Sequence, residues 1–171
     1  SNNDFFKDCF VFKGGTCLIK CYLEYYRFSE DLDFTYVHQN HFKNKSEKAI
    51  RRQLSDEITR LTKLLESIAQ KLSLTFKAEK TNKRYVEYGG SNKFVTFKIW
   101  YQSTITKREQ FIKMQINFVE VIKYSFKQCR VRNLAEKINK EELRFLFPEY
   151  AFLLQEKLEL RCYDLREILI E

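Results

Sequence analysis

Within residues 10–34, FVFKGGTCLIKCYLEYYRFSEDLDF, an apolar run, two adjacent glycines, a helix-like segment and a pair of aspartates follow one another. Cys9 to Lys13 reads as a buried first strand. Gly14-Gly15 let the backbone approach a bulky anion with no Cβ in the way. Thr16 stands where it can cap a helix running to about Tyr26, with Leu18, Tyr22 and Tyr25/Tyr26 on its inner face. The N-terminal N–H groups and positive dipole end of such a helix favour phosphate. Asp31 and Asp33 fall on a second strand over residues 30–36, so they project from one face with their Cα atoms roughly 6–7 Å apart. Carboxylates so placed can share hard divalent cations. A phosphate cradle beside a two-carboxylate site points to metal-assisted chemistry on a nucleotide.

Phe12-Lys13-Gly14-Gly15-Thr16, Leu18, Tyr26, Arg27, Ser29, Asp31, Asp33 and Phe34 stand in the order strand, Gly-Gly-Thr, helix, Arg-x-Ser, Asp-x-Asp. Taken together they resemble the DNA polymerase β-like nucleotidyltransferase superfamily. Within it, the chain is most similar to the AbiEii/AbiGii abortive-infection toxins, the toxin half of type IV toxin–antitoxin pairs. The strand Ile112-Lys113-Met114-Gln115-Ile116-Asn117 and residues 165–171 add weaker support.

The resemblance implies catalytic, metal-holding roles for Asp31 and Asp33, with Mg²⁺ or Mn²⁺ bridging a bound NTP. It implies nucleotide-binding roles for Lys13, Gly14, Gly15, Thr16 and Arg27; a salt bridge from Arg27 to Glu24 or Asp31 is the plain alternative, and Ser29 reads as a turn-shaping residue. It also implies a third carboxylate on a neighbouring strand. Matching residues 113–117 to the family's lysine–apolar–acidic–apolar pattern puts Gln115 there; sliding by two gives Asn117, also neutral. Glu120 points to the opposite face of a regular strand, and Glu87 is a further candidate. A neutral amide can ligate a metal but takes no proton. Three outcomes stay open: a two-carboxylate enzyme with weakened chemistry, an acid supplied from elsewhere, or a nucleotide-binding protein that no longer transfers.

The remaining chain reads as α+β. Ile50, Leu54, Ile58, Leu61, Leu65, Ile68 and Leu72 recur at helical spacing over 46–72, with Asn44 or Ser46 as cap. Residues 74–80 read as a strand, 84–88 and 93–101 as a hairpin turning at Gly89-Gly90, and 110–122 as a long strand with Lys113, Gln115 and Asn117 on its polar face. A strand over 158–163 and a helix start at Asp164, with Glu167 three residues on, close the sequence. The expectation is a polymerase β-like nucleotidyltransferase core over 1–122, a mixed or antiparallel sheet of about five strands flanked by helices. A basic C-terminal extension follows over 123–171. The chain opens at Ser1-Asn2-Asn3 without an initiator Met and stops at Glu171, where the resembling family continues into further helices, so it reads as a piece lacking a helical lobe.

A net charge of +8 over 171 residues favours anionic partners. The basic residues fall at 43–52, at Lys80, Lys83 and Arg84, and most one-sidedly over 123–140; each group alone is also what a solvated face looks like. The five cysteines show no C-x-x-C pairing and read as reduced core or near-surface residues. His38 and His41 read as loop residues. No apolar run approaches the ~18 residues of a membrane span and no signal peptide is visible, so a cytoplasmic protein without membrane contact is expected. The leading function is a metal-dependent nucleotidyltransferase, an abortive-infection toxin moving an NMP from an NTP to an acceptor hydroxyl, with RNA such as tRNA as acceptor and an antitoxin protein as partner. The alternatives are a catalytically silent nucleotide- or RNA-binding domain on the same fold, and an interaction module whose motifs coincide by accident.

Overall fold

The computed structural model describes residues 2–23, 29–132, 140–146, 148 and 158–170. Helix α1 (Asn2–Cys9) leads into strand β1 (Phe10–Lys13), and helix α2 (Gly14–Cys17) runs on into a π-helical turn over Leu18–Tyr22. Strand β2 (Leu32–Tyr36), helix α3 (Glu47–Lys71), strands β3 (Val86–Gly89), β4 (Phe94–Gln102), β5 (Glu109–Asn117) and β6 (Lys127–Arg130), helix α4 (Lys140–Leu146), strand β7 (Glu159–Cys162) and helix α5 (Leu165–Ile170) follow.

All seven strands form one mixed sheet in the order β3-β4-β5-β2-β1-β7-β6. β1 pairs antiparallel with β2 and parallel with β7, and β2 pairs parallel with β5. Strict alternation gives the sheet one apolar face. Phe10, Phe12, Phe34, Tyr36, Val95, Phe97, Met114 and Ile116 from the strands join Leu54, Ile58, Leu61 and Leu65 of α3 in the core. Ile58 and Leu61 are fully buried, and truncating either to Ala costs about 2–5 kcal/mol. Ser46 caps α3, its hydroxyl accepting from the Ala49 N–H at 3.3 Å. This core holds the opposite, polar face of the sheet in register.

Seven strands replace the expected five or so, because β6 and β7 pair with each other and β7 adds to β1. Each of these strands is only four residues long, too short for alternation to announce both. Residues 74–80 are not a strand; Thr75 makes an isolated bridge to Trp100 and turns follow. β5 ends at Asn117 rather than continuing to 122. The helix after β1 begins at Gly14, with Lys13 in the N-cap position and no side-chain cap, so Thr16 is an interior residue and not the cap. At the C-terminal end Asp164 accepts the Arg166 N–H as a helix start should, but Glu167 accepts the backbone N–H groups of Lys123 and Tyr124 instead of reaching back. No described helix is long and apolar enough to cross a membrane.

Candidate active site

Register partners in a sheet present their side chains on the same face. Glu87 on β3, Thr96 on β4, Gln115 on β5, Asp33 on β2 and Lys13 on β1 therefore form one transverse row on the face away from α3. Asp31 lies two residues before Asp33, and Lys113 two before Gln115, giving a second row beside the first.

Asp33 is the centre of this arrangement. Burial raises its pKa above the ordinary carboxylate value, the negative charge of Asp31 raises it further, and Lys13 and Lys113 pull it partly back. Asp31 receives Lys113 Nζ at 2.8 Å in a half-exposed ion pair. Gly14 backs the Asp33 carboxylate. Its φ is +71°, and a Cβ there would collide with Asp33 Oδ2 and lie 3.1 Å from Cβ and Cγ of Asp33. Both backbone conformation and space exclude a side chain.

Thr16 is buried, and its hydroxyl bonds the Asp31 carbonyl and the Ser29 hydroxyl, the latter at 2.7 Å. That hydroxyl ties α2 to the Asp31 turn and is not turned outward to a ligand. Gly15 is the second residue of α2. Arg27 lies outside the described residues.

Gln115 stands beside Asp33, with its amide nitrogen donating to Thr96 Oγ1 at 3.2 Å, which leaves Oε1 as its ligand-capable atom. Glu87 shares the row but stands three strand spacings from Asp33, about 14 Å, and its carboxylate pairs with Lys98 at 2.6 Å. It does not replace a third acid.

Glu120 departs from the expected orientation. Since β5 stops at Asn117, the chain turns, and the Glu120 carboxylate arrives beside Thr35, on the same face as Asp33. It receives Lys13 Nζ at 2.6 Å, Thr35 Oγ1 at 2.5 Å and the Tyr163 hydroxyl at 3.0 Å. Sequence reasoning missed this anchor because Phe118-Val119 prolongs the apolar run of β5 in appearance only. It also missed an aromatic wall. Trp100 and Phe111 pair across β4 and β5 with ring centroids 4.9 Å apart, and with Asp31 and Lys113 they line a cleft of about 380 Å³. The guanidinium of Arg84 sits 4.3 Å from the Trp100 ring. Alternation along both strands carried that signal.

Of the basic residues, Lys80 is structural: its ammonium binds Ser55 and Thr59 of α3. His38 and His41 stack at 5.4 Å around the single turn Gln39–Phe42.

The donor set Asp31, Asp33 and the Gln115 amide oxygen is all hard oxygen, which suits Mg²⁺ or Mn²⁺, and a cation would relieve the repulsion by Asp31 that helps raise the pKa of Asp33. Over residues 1–171 the sequence matches the family model described as "Nucleotidyl transferase AbiEii toxin, Type IV TA system". No curated protein and no solved structure gives a match.

Proposed function

The chain belongs to the AbiEii family of nucleotidyl transferase toxins of type IV toxin–antitoxin systems, and from that premise we propose that it moves an NMP from an NTP to an acceptor hydroxyl on RNA, with tRNA as the candidate acceptor. The observation that carries this reading is the single polar row in which Asp33 stands between Lys13 and Gln115, with Asp31 two residues away and Gly14 packed against the Asp33 carboxylate.

Asp31 and Asp33, with the Gln115 oxygen as a neutral partner, would hold Mg²⁺ or Mn²⁺, which neutralises triphosphate charge and stabilises the oxygens entering and leaving the α-phosphorus. The remaining roles belong to the chain. Backbone N–H groups at Gly14, Gly15 and Thr16 face the β- and γ-phosphates at the start of the helix. Lys13 and Arg27 supply cationic contacts, and the Trp100–Phe111 wall offers a stacking surface for the base. Such a toxin is held in check by an antitoxin partner, as the family description implies.

Gln115 favours a second reading, a domain that binds the nucleotide and does not transfer it, because the β5 register partner of Asp33 is an amide, which cannot take the acceptor's proton. One experiment separates the two. The protein is incubated with each α-labelled NTP, Mg²⁺ or Mn²⁺ and total RNA, beside an Asp31→Ala/Asp33→Ala control. Label on RNA that vanishes in the control supports transfer and identifies the nucleotide. Metal-dependent NTP binding without label supports the silent domain.

A further inference from the structure

Three thiols converge at the far end of the helix that starts with Gly14, and the transfer chemistry uses none of them. Cys17 closes α2, Cys21 lies in the π-helical turn and Cys162 ends β7. Their Sγ atoms all lie within 4.8 Å of one another, with Cys21 and Cys162 at 3.5 Å. Cys17 and Cys162 are fully buried, and Cys21 is partly exposed.

The local structure explains the convergence. A π-helical turn, closed here by the Leu23 N–H on the Leu18 carbonyl at 2.9 Å, holds more residues than an α-helical turn, so side chains four apart come nearer to alignment along the axis. That stacks Cys21 close to Cys17. Parallel pairing of β7 with β1 sets Cys162 beside Phe12 and brings the third sulfur to the same point. Sequence spacing alone hides the group, because 141 positions separate Cys21 from Cys162.

We propose that Cys17, Cys21 and Cys162 form a three-thiolate site for a thiophilic d¹⁰ cation, Zn²⁺ or Cu⁺, that fastens the helix carrying Gly14 to the β7 side of the sheet. Thiolates are the ligands that select such ions. At metal–sulfur bonds of ~2.3 Å, three sulfurs around one ion stand about 4 Å apart, close to the spacing already present. A disulfide would consume two of the sulfurs and leave the third unexplained. Lys20 and Arg132 lie close enough to Cys21 to offset part of the negative charge that three thiolates would bring. The Arg132 N–H donates to the Lys20 carbonyl at 2.9 Å, which keeps that segment beside the turn. On binding, three thiols release their protons to solvent and each sulfur donates a lone pair; no sulfur changes oxidation state. The site is independent of the Asp31–Asp33 pair, whose oxygen ligands suit a different class of ion.

The test uses the full chain, reduced and stripped of metal under anaerobic conditions. Zn²⁺ and Cu⁺ are titrated separately against a chromophoric competitor for each, and Co²⁺ serves as a spectroscopic probe through its thiolate charge-transfer absorption. The expected result is one ion per chain, a higher melting temperature with the ion, and affinity lowered roughly 100-fold or more in C21S and C162S. C9S should bind as the parent does. The arm that withstands its competitor identifies the ion. Absence of stoichiometric binding by the reduced parent overturns the proposal, as does equal loss in C9S. A Cys21–Cys162 disulfide in freshly isolated protein, with no ion taken up after reduction, overturns it too. Since stoichiometry is read on the parent chain, a variant that fails to fold does not blunt the test.

Discussion

Asp33 and Gln115 stand side by side across the parallel β2–β5 pair, so a carboxylate faces a neutral amide. The amide spares Asp33 a further anion at one strand spacing, which matters because burial and Asp31 already disfavour its charged form. Gln115→Glu should therefore lower the stability of the metal-free chain by about 1 kcal/mol, the upper range for like charges directly opposite in a sheet. With Mg²⁺ present it should raise transfer by about tenfold or more, by supplying a group able to take the acceptor's proton. Thermal melts with and without Mg²⁺, beside label transfer to RNA, check both halves. An unchanged rate would place the limit on turnover elsewhere than at this amide.

Gly14 answers two demands at once, a left-handed backbone and a place with no room for a Cβ against Asp33. Gly14→Ala should cost ~1–2 kcal/mol from the backbone alone and should also push the Asp33 carboxylate aside, abolishing stabilisation by Mn²⁺. Gly90 gives a matched control: its φ is +54°, yet a Cβ there meets only Lys93 Cβ, at 3.7 Å. Gly90→Ala should show the backbone cost and keep the Mn²⁺ response. Melting curves over a Mn²⁺ series compare the two; equal loss of the response would mean that Gly14 serves the turn and not the site.

Both observations bear on what the sequence reveals. The strand ending at Lys13, the helix after it and the strand carrying Asp33 were legible because each follows a local rule, an apolar run, glycines, then aspartates two apart, although the helix, expected to run to about Tyr26, ends by Leu23, whose backbone is extended. The α3 periodicity and the β3–β4 hairpin were legible for the same reason. What stayed hidden depends on contacts between distant segments or on where a strand stops. Glu120 looked like a residue of the wrong face until β5 proved to end at Asn117. Thr16 looked like a cap, but the helix starts two residues earlier and its hydroxyl serves the Asp31 turn. The strand over 127–130 carries Lys-Gln-Cys-Arg, with no alternation to mark it, and forms because β7 offers it a partner.

Acid titration gives a prediction with a definite sign. The folded-state pKa of Asp33 lies above its ordinary value of 3.8, so between these values the native state holds more protons than the unfolded state. Stability of the metal-free chain should then fall as pH rises through that window and stay lower above it. Metal binding runs the other way, since Mg²⁺ or Mn²⁺ needs the carboxylate: affinity should rise through the same window and level off above it. Asp33→Asn removes both effects. At neutral pH it should melt higher than the parent without metal and gain nothing from Mn²⁺. Melting temperatures from pH 4 to 8, with and without Mn²⁺, test this; a metal-free variant that melts lower would show that Asp33 contributes a favourable native contact outweighing its burial.

Lys13 pairs with Asp33 in register but places its ammonium on Glu120, 2.6 Å from Oε1 and 5.6 Å from the Tyr163 ring centroid. Both partners of that ion pair are largely buried, with side chains 15% and 18% exposed, so the contact is worth more than a surface pair. Charge-assisted bonds in such settings contribute about 1.5–3 kcal/mol. If Lys13 also meets a nucleotide phosphate, it must loosen from Glu120, and the two partners then compete for it. Glu120→Gln should lower stability by about 1–2 kcal/mol while tightening NTP binding several-fold, because the lysine is held less firmly in the resting site. Lys13→Met should lower stability and weaken NTP binding together. The opposite responses of the two variants to NTP, read by calorimetry beside denaturant melts, distinguish a lysine shared between anchor and ligand from one that only braces the sheet, for which both variants would lose stability and neither would alter NTP affinity.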